Sequence, residues 1–458
     1  MPTCTAASAS RALKRRLIHL MPLDLAAEHV LPLLESHDRH WAIDARSAWD
    51  WLTASGDSPV VSLRDLEYFL WYQLPAKFLT DVDHHRMVAT ALADLLSGLG
   101  YEEAAALSRG PVTMRVLAEW DTDRSRGYRA LREALEKSGV EPPDTDALAW
   151  SAYMGMTESI VFDMASAALE RALSEGKFTP GSRGWKQAQA EVMHRFLTTP
   201  LHSLDERSPQ AAVWEERQEF WVERPRRPIR QALLEEVRER IRRMPDTPEV
   251  VRDHMLPLLR LLDIAATNPP LTQAGYLPPA IVRELVGDLG WWDWDKQPRS
   301  EADVPQLMTL REFAKVAGLT RAPRGRLALT KIGRHALSDP AALWERVLSG
   351  LSTGEDFTAA IRELLLVQLI KGPGERGVIE AAILPVLAEA GWKPSDGRDL
   401  DQDMVSFKLW DAIRPMTLLD MIEVGEWPDR GIRLTEFGFV SAGAILWHRS
   451  TAPRQSIP

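Results

Sequence analysis

Cysteine is all but missing, with Cys4 the single example in 458 residues. One thiol excludes an internal disulfide and a cysteine-based zinc cage, and it fits a reducing compartment. Long apolar runs are missing too: nothing approaches the roughly 18 uninterrupted apolar residues that a spanning helix needs, so no membrane segment or membrane partner is expected. The N-terminus carries Arg11, Lys14, Arg15 and Arg16 but lacks the apolar core and cleavage site of a signal peptide. These absences point to a cytoplasmic protein. Excess positive charge is also lacking. At a net charge of −10 the chain is not coated for nucleic acid over its whole surface, although that balance leaves room for one local basic patch.

What is present belongs to a globular protein: 45% apolar and 26% charged residues, over a length that suits about three domains of roughly 150 residues. The 17 tryptophans are unusually many, and their large apolar area suits helix packing.

Helical spacing dominates the first half. Residues 1–22 read as a flexible tail, and 23–205 as an all-helical domain in which Gly, Pro or Asp breaks recur between packed helices. Asp24 is a candidate N-cap, Leu63, Leu66, Phe69 and Leu70 share a helix face closed by Pro75, and 146–173 continues the pattern. Residues 206–255 read as a charged linker and a connector helix. In that helix Ile229, Leu233, Val237, Ile241 and Met244 form a narrow stripe with charged flanks, which suits docking on its own chain, a protein partner or a homodimer seam.

The C-terminal half repeats itself. AGYLPP (274–279), MTL (308–310), LALTKIG (327–333) and LW (343–344) recur in order as AGWKPS (390–395), MTL (416–418), IRLTEFG (432–438) and LW (446–447). Two copies suggest paired modules, 256–350 and 351–449, rather than a solenoid, with 450–458 a tail. In the first copy Leu307, Leu310, Ala314 and Ala317 share a helix face ended by Gly318, a basic turn follows, Leu327 and Leu329 alternate as in a strand, and Thr330 opens a further helix. Seven cations, Arg311, Lys315, Arg321, Arg324, Arg326, Lys331 and Arg334, stand here against one acid, Glu312. The matching stretch 404–449 has five basic residues and six acids.

Over residues 271–449 this pattern resembles the winged-helix modules of uncharacterised bacterial proteins, in which a GYLP-type entry precedes a helix, a hairpin and an LT-x-x-G ending. The resemblance implies a fold more than an activity. The fold class expected is therefore mainly α, an N-terminal helical domain followed by two winged-helix-like modules with short β-hairpins. Phosphate contacts from Lys and Arg supply most non-specific DNA affinity, so the leading expectation is a DNA-binding protein, a transcriptional regulator among the options, that uses the seven cations of the first module. The alternative is a protein-interaction scaffold built on winged helices that bind no DNA.

A nucleotide-binding enzyme is the third reading. It rests on Gly372–Gly377 (GPGERG), which matches G-x-G-x-x-G between two apolar runs. Pro373 removes one backbone donor and no β-α-β series surrounds the motif, so an interhelical turn fits better. Gly350–Gly354 (GLSTG) matches a nucleophile elbow around Ser352, yet a helix-like run precedes it where a strand is required, and Ser352 or Thr353 suits a helix cap better. Two groups, His29, His37, Asp38 and Asp50, and Asp81, Asp83, His84 and His85, hold metal-ligand residue types without the spread over several helices that a metal site needs. Trp291, Trp292 and Trp294 alternate with Asp293 and Asp295; base stacking is open to such rings, but the carboxylates repel phosphate and packing is favoured. No catalytic residue, cofactor or metal is expected, and an enzyme is the least favoured reading.

Overall fold

The computed structural model describes residues 23–53, 62–78, 80–223, 227–292, 296–425 and 431–454. It is mainly helical with two small antiparallel sheets. No described helix is long and apolar enough to cross a membrane. The chain divides into two compact units, Met1–Ala212 with Arg454–Pro458, and Val213–Pro453.

In the first unit the helices are α1 (Leu23–Glu35), α2 (Arg39–Thr53), α3 (Leu63–Tyr68), α4 (Val82–Gly98), α5 (Glu102–Ser108), α6 (Pro111–Thr122), α7 (Arg124–Ser138), α8 (Met156–Ser174) and α9 (Trp185–Thr198). Asp24 lies within the first turn of α1 rather than at its cap. Helix α3 does not end at Pro75. It passes through a π-helical turn, Phe69–Gln73, into Leu74–Lys77, because the wider turn lets the chain carry a residue with no N–H to donate. That turn buries Phe69, Leu70 and Trp71 beside the Leu92, Leu95 and Leu96 side chains of α4. Two indoles lock the arrangement: Trp71 Nε1 donates to Thr113 Oγ1 at 2.9 Å and Trp120 Nε1 donates to the Trp71 carbonyl at 2.9 Å. Residues 140–155, expected to be partly helical, are irregular, since Pro142 and Pro143 cannot supply donors there and Trp150 N turns back to Asp144 Oδ1 at 2.8 Å.

Helix α10 (Pro209–Val222) carries the division between the units. The continuous connector helix expected over 229–244 does not form. Helix α11 covers Pro228–Glu235 and a 3₁₀ turn follows at Arg238–Arg240. Its stripe is already used: Leu233, Leu234, Val237 and Ile241 are buried in the core of the second unit, leaving only Ile229 exposed.

In the rest of the second unit a helix, an extended segment, two helices and a hairpin occur twice in that order, followed by two helices the first time and by one the second. The first pass is α12 (Leu256–Ala266), an extended segment at Pro270, α13 (Pro279–Leu289), α14 (Pro305–Val316), the hairpin β1 (Thr320–Arg321) and β2 (Ala328–Leu329), then α15 (Lys331–Ser338) and α16 (Pro340–Ser352). The second is α17 (Phe357–Lys371), β3 (Gly374–Glu375), α18 (Arg376–Glu389), α19 (Gln402–Leu418), the hairpin β4 (Ile422–Val424) and β5 (Gly431–Leu434), then α20 (Glu436–Thr451). The second sheet has the order β3-β5-β4. In the first, Pro270 bridges Arg326 beside β2, with Leu327 N donating to Pro269 O at 3.0 Å, so the extended segment takes the same place as β3.

The LT-x-x-G signature has one physical cause in both passes. Thr330 Oγ1 accepts from Gly333 N at 2.9 Å and donates to Gly318 O at 2.7 Å; Thr435 Oγ1 accepts from Gly438 N at 2.8 Å and donates to Asp420 O at 2.6 Å. Each threonine caps its helix and ties it to the end of the helix before the hairpin. Each glycine is required by contact, since a Cβ at Gly333 would lie 2.0 Å from Leu319 O and one at Gly438 1.8 Å from Met421 O.

One block of the sequence repeat is paired wrongly. AGYLPP leads into α13, whereas AGWKPS follows α18, so the two do not occupy matching places. Gly391–Trp392 and Gly290–Trp291 end their helices alike: both glycines have positive φ, and Trp291 N and Trp392 N donate five residues back, to Val286 O at 3.1 Å and Leu387 O at 3.2 Å.

Candidate nucleic-acid interface

The seven cations surround the first hairpin but do not act alike. Arg311 points inward: its guanidinium pairs with the buried Glu301 and donates to Gly275 O at 2.7 Å. Glu301 also accepts from Leu277 N at 2.7 Å, which makes this pair the clasp that fixes the segment before α13 against α14. Burial pushes the Glu301 carboxyl up, against the pull of that backbone donor and of Arg311. Arg311 therefore leaves the set of surface cations.

The other six, Lys315, Arg321, Arg324, Arg326, Lys331 and Arg334, are all exposed. None of them is paired with a carboxylate among the described residues. Register explains part of this. Thr320 pairs with Leu329 and both are buried, so Arg321, the next residue along β1, faces out. Arg326 is steadied by donating to Asn268 O, and Arg334 Nη1 reaches Leu329 O at 3.3 Å. At the tip, Arg324 is held at φ +52, in the left-handed region, next to Gly325 at φ +69.

The second hairpin is built differently. Glu423 stands opposite Arg433 across β4 and β5, and the two side chains form an ion pair, Arg433 Nε donating to Glu423 Oε2 at 2.6 Å. A cross-strand pair neutralises the described part of this hairpin.

Helix α14 precedes the basic hairpin. Leu307, Leu310, Phe313 and Ala314 bury one face, and α19 packs beside it. Its exposed positions include Met308, Glu312, Lys315 and Val316. Gln306 and Lys315 are the two exposed side chains here of types that read base edges.

The remaining motifs resolve into local structure. In GPGERG, Gly372 ends α17, Gly374 and Glu375 form β3, and Arg376 starts α18, so a helix stands where a dinucleotide fold requires a strand. Ser352 lies at the end of α16 and donates to Ser349 O at 3.0 Å, and the cap of the following helix is Asp356, not Ser352 or Thr353. Asp38 and Asp81 are helix caps, accepting from His40 N and His84 N at 2.8 Å each. No group of three or more His, Cys, Asp or Glu among the described residues is placed to hold a metal ion. Trp291 and Trp292 pack partly against the core; Asp293, Trp294 and Asp295 lie outside the described residues.

Sequence reasoning missed a cluster in the first unit. Arg64 donates to Asp163 Oδ1 at 2.5 Å, lies 3.7 Å from Glu141 Oε2 and sends its backbone N–H to Glu170 Oε1 at 3.1 Å. Glu67, one turn along α3, is buried, and desolvation pushes its carboxyl up to about 8, against a hydrogen bond from Ser138 and with Glu141 and Glu170 raising it further. These residues are scattered over some hundred positions, with no local spacing to signal them. Compared with protein-family models, curated proteins and solved structures, the chain matches none.

Proposed function

We propose that the two passes through helix, strand, two helices and hairpin are winged-helix modules related by duplication, and that the first binds the DNA backbone through its basic wing, residues 318–334. The observation that carries this reading is six exposed cations without carboxylate partners around one hairpin, in a chain whose net charge is −10. A positive patch on an acidic protein is unfavourable for the protein alone and gains its value from a polyanion. Arg324 adds weight. Holding a non-glycine residue at φ +52 costs about 1 kcal/mol that Gly would avoid, and the cost places a guanidinium at the wing tip.

The contact is backbone-directed and weakly sequence-selective, because the exposed face of α14 offers only Gln306 and Lys315 as base-reading types beside Met308, Glu312 and Val316. The same observation favours a second reading, docking of an acidic protein partner, since Met308, Val316 and Ile332 are exposed apolar residues beside the cations.

The test is fluorescence anisotropy of a labelled mixed-sequence duplex titrated with the full chain and with an Arg321→Gln, Arg324→Gln, Arg326→Gln variant. The wild type binds and the variant binds at least about tenfold more weakly, a loss of ~1.4 kcal/mol or more. Absent binding by the wild type, or equal binding by the variant, overturns the DNA reading; retention of a defined acidic partner by the wild type alone would then favour the second.

A further inference from the structure

A cleft of about 890 Å³ opens between α14 and α19, in the seam of the two repeated passes. Its size is in the range of small-molecule sites, which combine apolar walls with a few placed polar groups. Three indoles line it, Trp291, Trp292 and Trp410, together with three cations, Lys296, Arg299 and Arg414. We propose that this cleft binds a mononucleotide, a flat heteroaromatic ring carrying a phosphate ester.

Each half of that ligand has a counterpart. Rings stack on indoles, and two of these are braced. Trp292 Nε1 donates to Lys296 O at 2.8 Å, which ties the ring to the segment that carries two of the cations. Trp410 has Arg376 lying 5.1 Å from its ring centroid, and Arg376 is itself held by Glu380 at 2.7 Å. The GPGERG stretch thus contributes to the cleft, though not as a phosphate loop: its Arg376 buttresses a wall. An ordered ring loses little freedom when a base stacks on it.

The charge on the lining selects the other half. Lys296 and Arg299 have no carboxylate partner among the described residues, and Arg414 has only Asp411 at 3.6 Å. Among the described residues the one acid in the lining, Asp303, is already occupied, its Oδ2 accepting from Arg299 N at 2.8 Å and Ser300 N at 3.0 Å. Among the described lining residues, three cations against one engaged carboxylate favour a doubly charged phosphate over a single carboxylate. Gln306, Thr309 and Thr417 add neutral hydrogen-bonding groups in reach of a sugar or base edge.

The site is separate from the basic wing and does not depend on the DNA reading. Isothermal titration of the full chain with AMP, adenosine, inorganic phosphate and benzoate tests it. AMP binds saturably; each of the others binds at least about tenfold more weakly. An Arg299→Gln, Arg414→Gln variant, altered at two exposed positions, weakens AMP by about tenfold or more, and Lys296→Gln replaces it if the double variant's thermal midpoint falls. The wing variant retains AMP binding. The proposal is overturned by absence of AMP heat at millimolar concentration, by phosphate or benzoate binding as tightly as AMP, or by indifference to the cation changes. A single-stranded oligonucleotide that displaces AMP at lower nucleotide concentration would assign the cleft to nucleic acid and overturn it as well.

Discussion

Glu363 and Glu67 are both buried carboxylates, and their surroundings drive them in opposite directions. Glu363 lies between Arg230 at 2.8 Å and Arg449 at 3.0 Å; burial alone would push its carboxyl up, but the two guanidinium groups hold it at about 2. Its contribution to stability is present above the unfolded value of about 4.5 and is lost as pH falls from there toward 2. Replacing it with Gln leaves the buried Arg230 and the half-buried Arg449 short of a counter-charge and should cost the second unit ~3 kcal/mol or more at pH 7, with the difference from wild type shrinking toward pH 2. Glu67 has the reverse sign. Its carboxyl stays protonated in the folded chain up to about 8, so the unfolded chain, ionising from 4.5, gains over that window and stability falls as pH rises through it. Glu67→Gln should therefore be nearly neutral at pH 4.5 and stabilise the first unit by roughly 2–4 kcal/mol at pH 8. Denaturant unfolding of each variant beside wild type at both ends of its window checks the two signs; a Glu67→Gln variant that is less stable at pH 8 contradicts the assignment.

At the level of elements, the threonine and glycine of LT-x-x-G are the most legible feature of the chain, because one local contact forces both residue types. Gly333→Ala and Gly438→Ala each press a Cβ into a backbone carbonyl that is itself hydrogen-bonded, and each should lower the stability of the second unit by ~3 kcal/mol or more. Gly287→Ala, in open space within α13, should raise it by about 0.5–1 kcal/mol. Urea midpoints of the three variants make the comparison. The hairpin 318–330 could be read from alternation and turn residues alone, whereas the connector helix could not. The stripe from Ile229 to Met244 has helical spacing, but the core takes Leu233, Val237 and Ile241 through a 3₁₀ turn, and spacing carries no record of which partner a stripe meets. Pro75 misled for a related reason, since a π-helical turn lets proline pass. The AGYLPP and AGWKPS blocks share letters but one leads into a helix and the other follows one, a difference in place that shared letters do not carry. Trp291 and Trp292 stood out in the sequence as rings open to stacking, but the cleft did not, because Trp410 and Arg414 come from a segment more than a hundred residues away.

For the whole molecule, the two hairpins form a natural control. They share their order of strands and their capped exit helices, yet the first exposes Arg321, Arg324 and Arg326 without carboxylate partners among the described residues, and the described part of the other closes Arg433 onto Glu423. On the proposed reading, the hairpin that keeps unpaired cations is the one that contacts nucleic acid. It also sets what salt should do, because each phosphate neutralised by a cation releases a counterion, and affinity falls linearly with the logarithm of salt concentration. The most direct measurement is that slope for duplex binding by the wild type, by the Arg321→Gln, Arg324→Gln, Arg326→Gln variant and by Arg433→Gln. The slope is steep for the wild type, is shallower by about 3 for the triple variant, roughly one per phosphate contact removed, and is unchanged for Arg433→Gln. Equal slopes for the wild type and the triple variant, or a loss confined to Arg433→Gln, would contradict binding through the first hairpin.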